Sequence, residues 1–126
     1  TDLMRLGVAE QARLLRRGEV SPAEMVDAAI AAIERHNPAL NAVVQPMYDV
    51  ARRALRELRG DEPYGGVPLL LKDMCAEYGG TPLREGSRFL DGYVSPHDSE
   101  LVARLRRAGF IVVGKTNTPE FASKPT

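Results

Sequence analysis

The chain has 126 residues, 44% of them hydrophobic and 27% charged, with 17 Lys+Arg balancing 17 Asp+Glu to zero formal net charge. This fits one ordinary domain with a single core, and the balance argues against a nucleic-acid groove or an anionic membrane surface, since both require a positive excess. A single cysteine, Cys75, excludes an internal disulfide framework and a Cys-based zinc cluster, and suits a reducing, cytoplasmic setting. No apolar run approaches the ~20 residues of a bilayer span. Charges interrupt the opening segment Thr1–Val20, which is therefore not read as a secretory signal.

The first third reads as helix. Val8, Ala12 and Leu15 share one face, with Gly18 as the stop. Ser21-Pro22-Ala23-Glu24 is a helix start with a Ser N-cap, Pro at the first helical position and Glu placed to close a capping box. The helix it opens carries Val26, Ala29, Ile30 and Ile33 inward and is expected to end before Asn37-Pro38. A short strand is expected at Asn41–Val44. A third helix follows, with Met47, Ala51, Ala54, Leu55 and Leu58 inward and its end at Gly60.

The pattern then changes. Val67-Pro68-Leu69-Leu70-Leu71 is apolar on both faces until Lys72-Asp73, the signature of a strand covered by helices on each side. Residues 75–97 hold many Gly, Pro and polar residues without a sustained period and read as an irregular excursion. Ser95 or Asp98 is expected to cap a helix with the stripe Leu101, Val102, Leu105 and Ala108, stopped by Gly109. Phe110–Gly114 is a second buried strand, completing a βαβ crossover. Thr118-Pro119-Glu120 reads as a further helix start. So few strands leave sheet edges uncovered, so the chain is expected to be a piece of a longer α/β protein or to need a partner.

Gly109-Phe110-Ile111-Val112-Val113-Gly114-Lys115-Thr116 satisfies the phosphate-binding pattern G-x-x-x-x-G-K-[ST]. Its four intervening residues form an apolar run better suited to a strand than to an anion-cradling loop, and the next helix starts too late to aim its N-terminus at a phosphate. The segment is therefore read as a strand with its exit loop, and loss of the Lys115 side chain is expected to be mild.

Lys72 is the residue most suited to chemistry. Carboxyl ends of parallel strands are where α/β sheets gather ligands, and a lysine held in a dry crevice there can serve as a base toward a serine hydroxyl. The alternative is a strand-end lysine whose stem packs while its head reaches water or pairs with Asp73. Cys75 with His97 and Asp73 invites a Cys–His nucleophile, against which stands the usual burial of a lone cysteine in a core. His36 and His97 are too few for a metal site, and no metal or cofactor is expected. Ser21 and Ser95 read as caps, Ser99 as helical and Ser87 as loop, and none lies in a Gly-x-Ser-x-Gly elbow.

Gly66–Asp73, Thr81, Gly86-Ser87, Leu90 and the run from Asp98 through Gly114-Lys115-Thr116-Asn117-Thr118-Pro119-Glu120-Phe121 resemble the N-terminal region of the amidase signature family. Gly18–Ser21 and Asn37–Ala42 are similar to the same family's helical lead-in. The resemblance implies an α/β fold with a mixed sheet sandwiched by helices, of which residues 1–126 form the N-terminal part of a single domain. It also implies hydrolysis or transfer of amides, without a cofactor, through a Ser–cis-Ser–Lys triad whose Lys matches Lys72. Both serines belong to a Gly/Ser-rich segment expected beyond this span, so the chain alone is expected to be inactive. The implied partners are a small-molecule amide and the remainder of the polypeptide, with a homodimer left open and neither nucleic acid nor membrane expected. The family includes the glutaminase subunit of tRNA-dependent amidotransferases, which commonly reads Met-Asp-Glu-Phe where this chain has Thr118–Phe121; the difference favours a free-standing amidase, including relatives that cleave unnatural oligoamides.

Overall fold

The computed structural model describes residues 2–118. After a 3-10 turn at Leu3–Arg5, the elements are α1 (Val8–Arg16), α2 (Pro22–Leu40), β1 (Val43–Pro46), α3 (Tyr48–Arg56), β2 (Pro68–Lys72), α4 (Glu100–Ala108) and β3 (Ile111–Thr116). The fold is α/β: β3 lies centrally in a three-stranded mixed sheet ordered β1-β3-β2, antiparallel to β1 and parallel to β2. The β2–α4–β3 unit is the expected crossover. Among the described residues, the excursion from Asp73 to Asp98 holds only a 3-10 turn at Arg88–Leu90 and an isolated Pro82–Val94 bridge.

Local chemistry explains the boundaries. Ser21 Oγ accepts the Glu24 N–H while the Glu24 carboxylate accepts the Ser21 N–H, so the capping box forms as its spacing predicts. α2 does not stop at Asn37, however, but runs through Pro38 to Leu40, ending at Asn41 in the left-handed region with φ 49°. The Asn37 amide donates to the Val43 C=O and accepts the Val43 N–H, both at 2.8 Å, bracing the last turn against the start of β1. That bracing carries the helix past a residue that would otherwise break it. β1 is correspondingly displaced from Asn41–Val44 to Val43–Pro46. α4 is capped neither by Ser95 nor by Asp98 but by Ser99, whose Oγ accepts the Val102 N–H. Asp98 is occupied otherwise, accepting the Gly79 N–H and pairing with Arg106.

The sheet is covered on both sides. Val112 packs with Met47, Leu71, Ala76, Tyr78 and Val102 on the α4 side. On the other side Ile111 and Val113 pack with Val26 of α2 and Ala51 of α3. Each of the valine, leucine, isoleucine and methionine side chains so withdrawn from water stabilises the fold by about 1.5–3 kcal/mol. Val102 is fully buried, whereas Leu101, expected on the same stripe, is 59% exposed, so α4 buries a narrower face than its sequence suggests. One irregularity sets up the site. Leu69 pairs with Val112 but Leu70 pairs with Gly114, leaving Val113 as an extra residue in β3. Such a bulge reverses the facing of the residues after it, and so turns Lys115 toward the excursion rather than toward α2. Gly114 permits the close approach, because a Cβ there would lie 2.9 Å from Val43 Cγ1 and 3.0 Å from the Gln45 carbonyl oxygen.

Candidate active site

Lys72 ends β2, opposite Thr116 of β3. Thr116 Oγ1 donates to the Leu71 C=O at 3.3 Å, tying the neighbouring strand to the peptide just before Lys72. The expected dry crevice is not formed: Lys72 is exposed. The reason is topological. β2 is an outer strand of the sheet among the described residues, and Leu70, two residues earlier, is itself 39% exposed. Lys72 instead borders an open groove of about 540 Å³ walled by β2, Met74, Cys75, Leu101 and Leu105. Among the described residues it is the one charged side chain on that wall. A cationic head at the end of an apolar channel can bind a carbonyl or hydroxyl oxygen while the walls take up an aliphatic chain.

Asp73 does not pair with Lys72. It is buried at 4% exposure, and its carboxylate accepts the Arg84 N–H at 3.1 Å. The buried lysine of this region is Lys115, with no exposed surface, whose Nζ donates to the Pro82 C=O. Burial lowers its pKa below the usual lysine value, while the nearby carboxylates of Asp73 and Glu77 partly oppose that shift. Lys115 lies within β3 and not in an exit loop. The expectation that its loss is mild is therefore reversed, since removal would leave the Asp73 carboxylate buried without this opposing charge. The phosphate pattern has no loop to work with: residues 111–116 are strand, and the ammonium is turned inward. Sequence reasoning missed this lysine; the signal that could have found it is its place directly after an apolar strand-like run, where a charge needs a partner.

The remaining candidates do not assemble. Cys75 is exposed, not core, with φ 60°. Among the described residues no hydrogen bond joins it to His97, and Asp73 serves Arg84 instead. Ser87 is buried and accepts the Phe89 N–H. Ser95 is buried, and among the described residues its Oγ has no partner, so it is not a cap. Ser99 borders the Lys72 groove but is engaged in capping α4. No three His, Cys, Asp or Glu side chains among the described residues gather in an arrangement for a metal ion. No described helix is long and apolar enough to cross a membrane. The helix start at Thr118-Pro119-Glu120 lies largely outside the described residues.

Known proteins are similar to this chain in sequence and in fold. Over 119 residues the chain is 42% identical to 6-aminohexanoate-cyclic-dimer hydrolase of Paenarthrobacter ureafaciens, an alignment covering 92% of this chain and 24% of that protein. It is 38% identical over 120 residues to a glutamyl-tRNA(Gln) amidotransferase subunit of Methylacidiphilum infernorum, covering 95% of this chain and 24% of that one. A solved 6-aminohexanoate cyclic dimer hydrolase superposes with a TM-score of 0.89 at 39% identity, over 96% of this chain and 25% of its own. The chain thus spans about a quarter of the length of these relatives. The model of the amidase family matches residues 24–126, and the chain belongs to that family, the amidase signature enzymes.

Proposed function

We propose that the protein carrying this chain is an amide hydrolase of the Ser–cis-Ser–Lys type, in which Lys72 is the base and both serines come from elsewhere in the polypeptide. The observation that carries the reading is the position of Lys72, at the carboxyl end of a parallel strand and, among the described residues, alone in charge on an open apolar groove. Covering that groove with the rest of the polypeptide takes the amine out of water, the condition under which a lysine accepts protons. The nucleophilic serine then attacks the amide carbonyl, and its proton passes through the bridging serine to Lys72. The leaving amine takes up that proton as the C–N bond breaks, and water releases the acid from the acyl-enzyme. The apolar wall suits an aliphatic acyl chain, in keeping with the relatives that act on a cyclic dimer of 6-aminohexanoate. The free thiol of exposed Cys75 suits a reducing, cytoplasmic setting.

A second reading, a glutaminase working with partner proteins, is favoured by the likeness to the amidotransferase of Methylacidiphilum infernorum. The Thr118–Phe121 sequence speaks for the free-standing enzyme. A panel of amides that includes linear and cyclic aliphatic amides and glutamine, assayed with the complete purified protein, separates the two. The proposal expects amine release from aliphatic amides without any added protein. Activity on glutamine alone, and only with partner subunits present, would contradict it.

A further inference from the structure

Lys115 is fully buried, and among the described residues its side chain makes one hydrogen bond, to the Pro82 C=O. An ammonium in such a place is weak as a source of stability, because an apolar side chain of similar volume often does as well or better. Its presence calls for a different account, and the neighbouring contacts supply one. The excursion that follows Lys72 is fastened at two nearby points. The first is Asp73, adjacent to Lys72, whose carboxylate holds the Arg84 N–H. The second is Lys115, opposite Leu71 in the sheet, whose ammonium holds the Pro82 C=O. The two fastening side chains are both buried, are of opposite acid–base type, and lie next to Lys72, one directly after it in the turn that follows β2 and one on the neighbouring strand opposite Leu71. The β3 bulge at Val113 is what aims Lys115 at this segment.

We infer that Lys115 and Asp73 are positioning residues that fasten the Pro82–Arg84 segment beside β2 and thereby fix the backbone from which Lys72 projects. The inference rests on Lys72 being the base. It concerns geometry and not proton transfer: neither residue is required to touch the substrate. A displacement of about 1 Å at a reacting group can lower a rate by about 100-fold, so loosening this fastening is expected in kcat.

The test is a double-variant cycle in the complete protein, with Lys115→Met, Asp73→Leu and the two combined, so that both the charges and the Arg84 N–H acceptor are removed, reading kcat and KM on a simple aliphatic amide together with the thermal midpoint. Each single variant leaves one of the two buried charges without the other, Glu77 alone remaining near Lys115 when Asp73 is changed, and is expected to lower the midpoint; the combination removes both charges and is expected to regain it. A purely structural pair would regain kcat in step. The proposal instead expects kcat of the double variant to remain about 100-fold down, with KM changed by less than about threefold. Where Lys115→Met alone fails to fold, the double variant carries the test. Recovery of kcat together with the midpoint, unchanged kcat in the folded variants, or loss of folding in the double variant would each overturn the inference. Lys72→Ala is run in parallel: turnover surviving that change contradicts the base assignment, whatever the cycle shows.

Discussion

Lys72 and Lys115 stand on adjacent paired strands at the same end of the sheet, yet one is exposed and the other has no exposed surface. The difference has a measurable consequence at high pH. Burial sets the pKa of Lys115 below its ordinary 10.5, so just below that pH the unfolded chain binds more protons than the folded one. Stability contributed through this residue therefore rises as pH increases toward 10.5. Tyr48 and Tyr78 act in the opposite sense: burial raises their pKa above 10.0, so the folded state keeps its phenol protons longer and loses stability as pH climbs beyond that value. Comparing wild type with Lys115→Met cancels the tyrosines. Urea denaturation should show the stability of the wild type growing relative to the variant between neutrality and about pH 10. A difference that stays flat or shrinks would mean that the lysine is not desolvated.

At the scale of elements, α4 shows how a helix is fixed by its ends. Ser99 caps its start, and Gly109 ends it at φ 102°, in the left-handed region. A Cβ on Gly109 would also lie 2.7 Å from the backbone nitrogen and Cα of Gly65, where the turn before β2 packs against the helix end. Gly109→Ala thus combines a strained backbone with a collision against main chain, and is expected to destabilise by more than about 2 kcal/mol in chemical denaturation. A loss below about 0.5 kcal/mol would show that the turn yields freely. Gly109 is legible as a stop in the sequence, because a glycine after an amphipathic run has few other uses. The caps are only partly so. Ser21 is readable because its partner Glu24 lies within the same turn. The choice among Ser95, Asp98 and Ser99 is not, because it depends on Asp98 being drawn to Gly79 and Arg106, contacts that local sequence does not encode. The passage of α2 through Pro38 likewise depends on Asn37 reaching Val43.

Over the whole molecule, the fold class follows from period and composition: helical spacing early, both-face apolar strands later, and a helix between the two parallel strands. Burial at the site does not follow, since it depends on which strand is central and on a one-residue bulge. Both β2 and β3 read as covered strands; β3 is, whereas Leu70 and Lys72 on β2 stay open. Family likeness and strand position point to Lys72 as the base proposed above, while the fully buried Lys115 reads from sequence as an ordinary loop residue. With the chain spanning about a quarter of its relatives, the open β2 groove is where the proposed chemistry has to be completed. The most direct measurement is amide turnover by the complete protein carrying Lys72→Ala, with circular dichroism and the thermal midpoint confirming that it folds. Because Lys72 is exposed, the fold should be retained, and loss of the base should lower kcat by about 1,000-fold or more. Wild-type turnover in a folded Lys72→Ala protein would contradict the account.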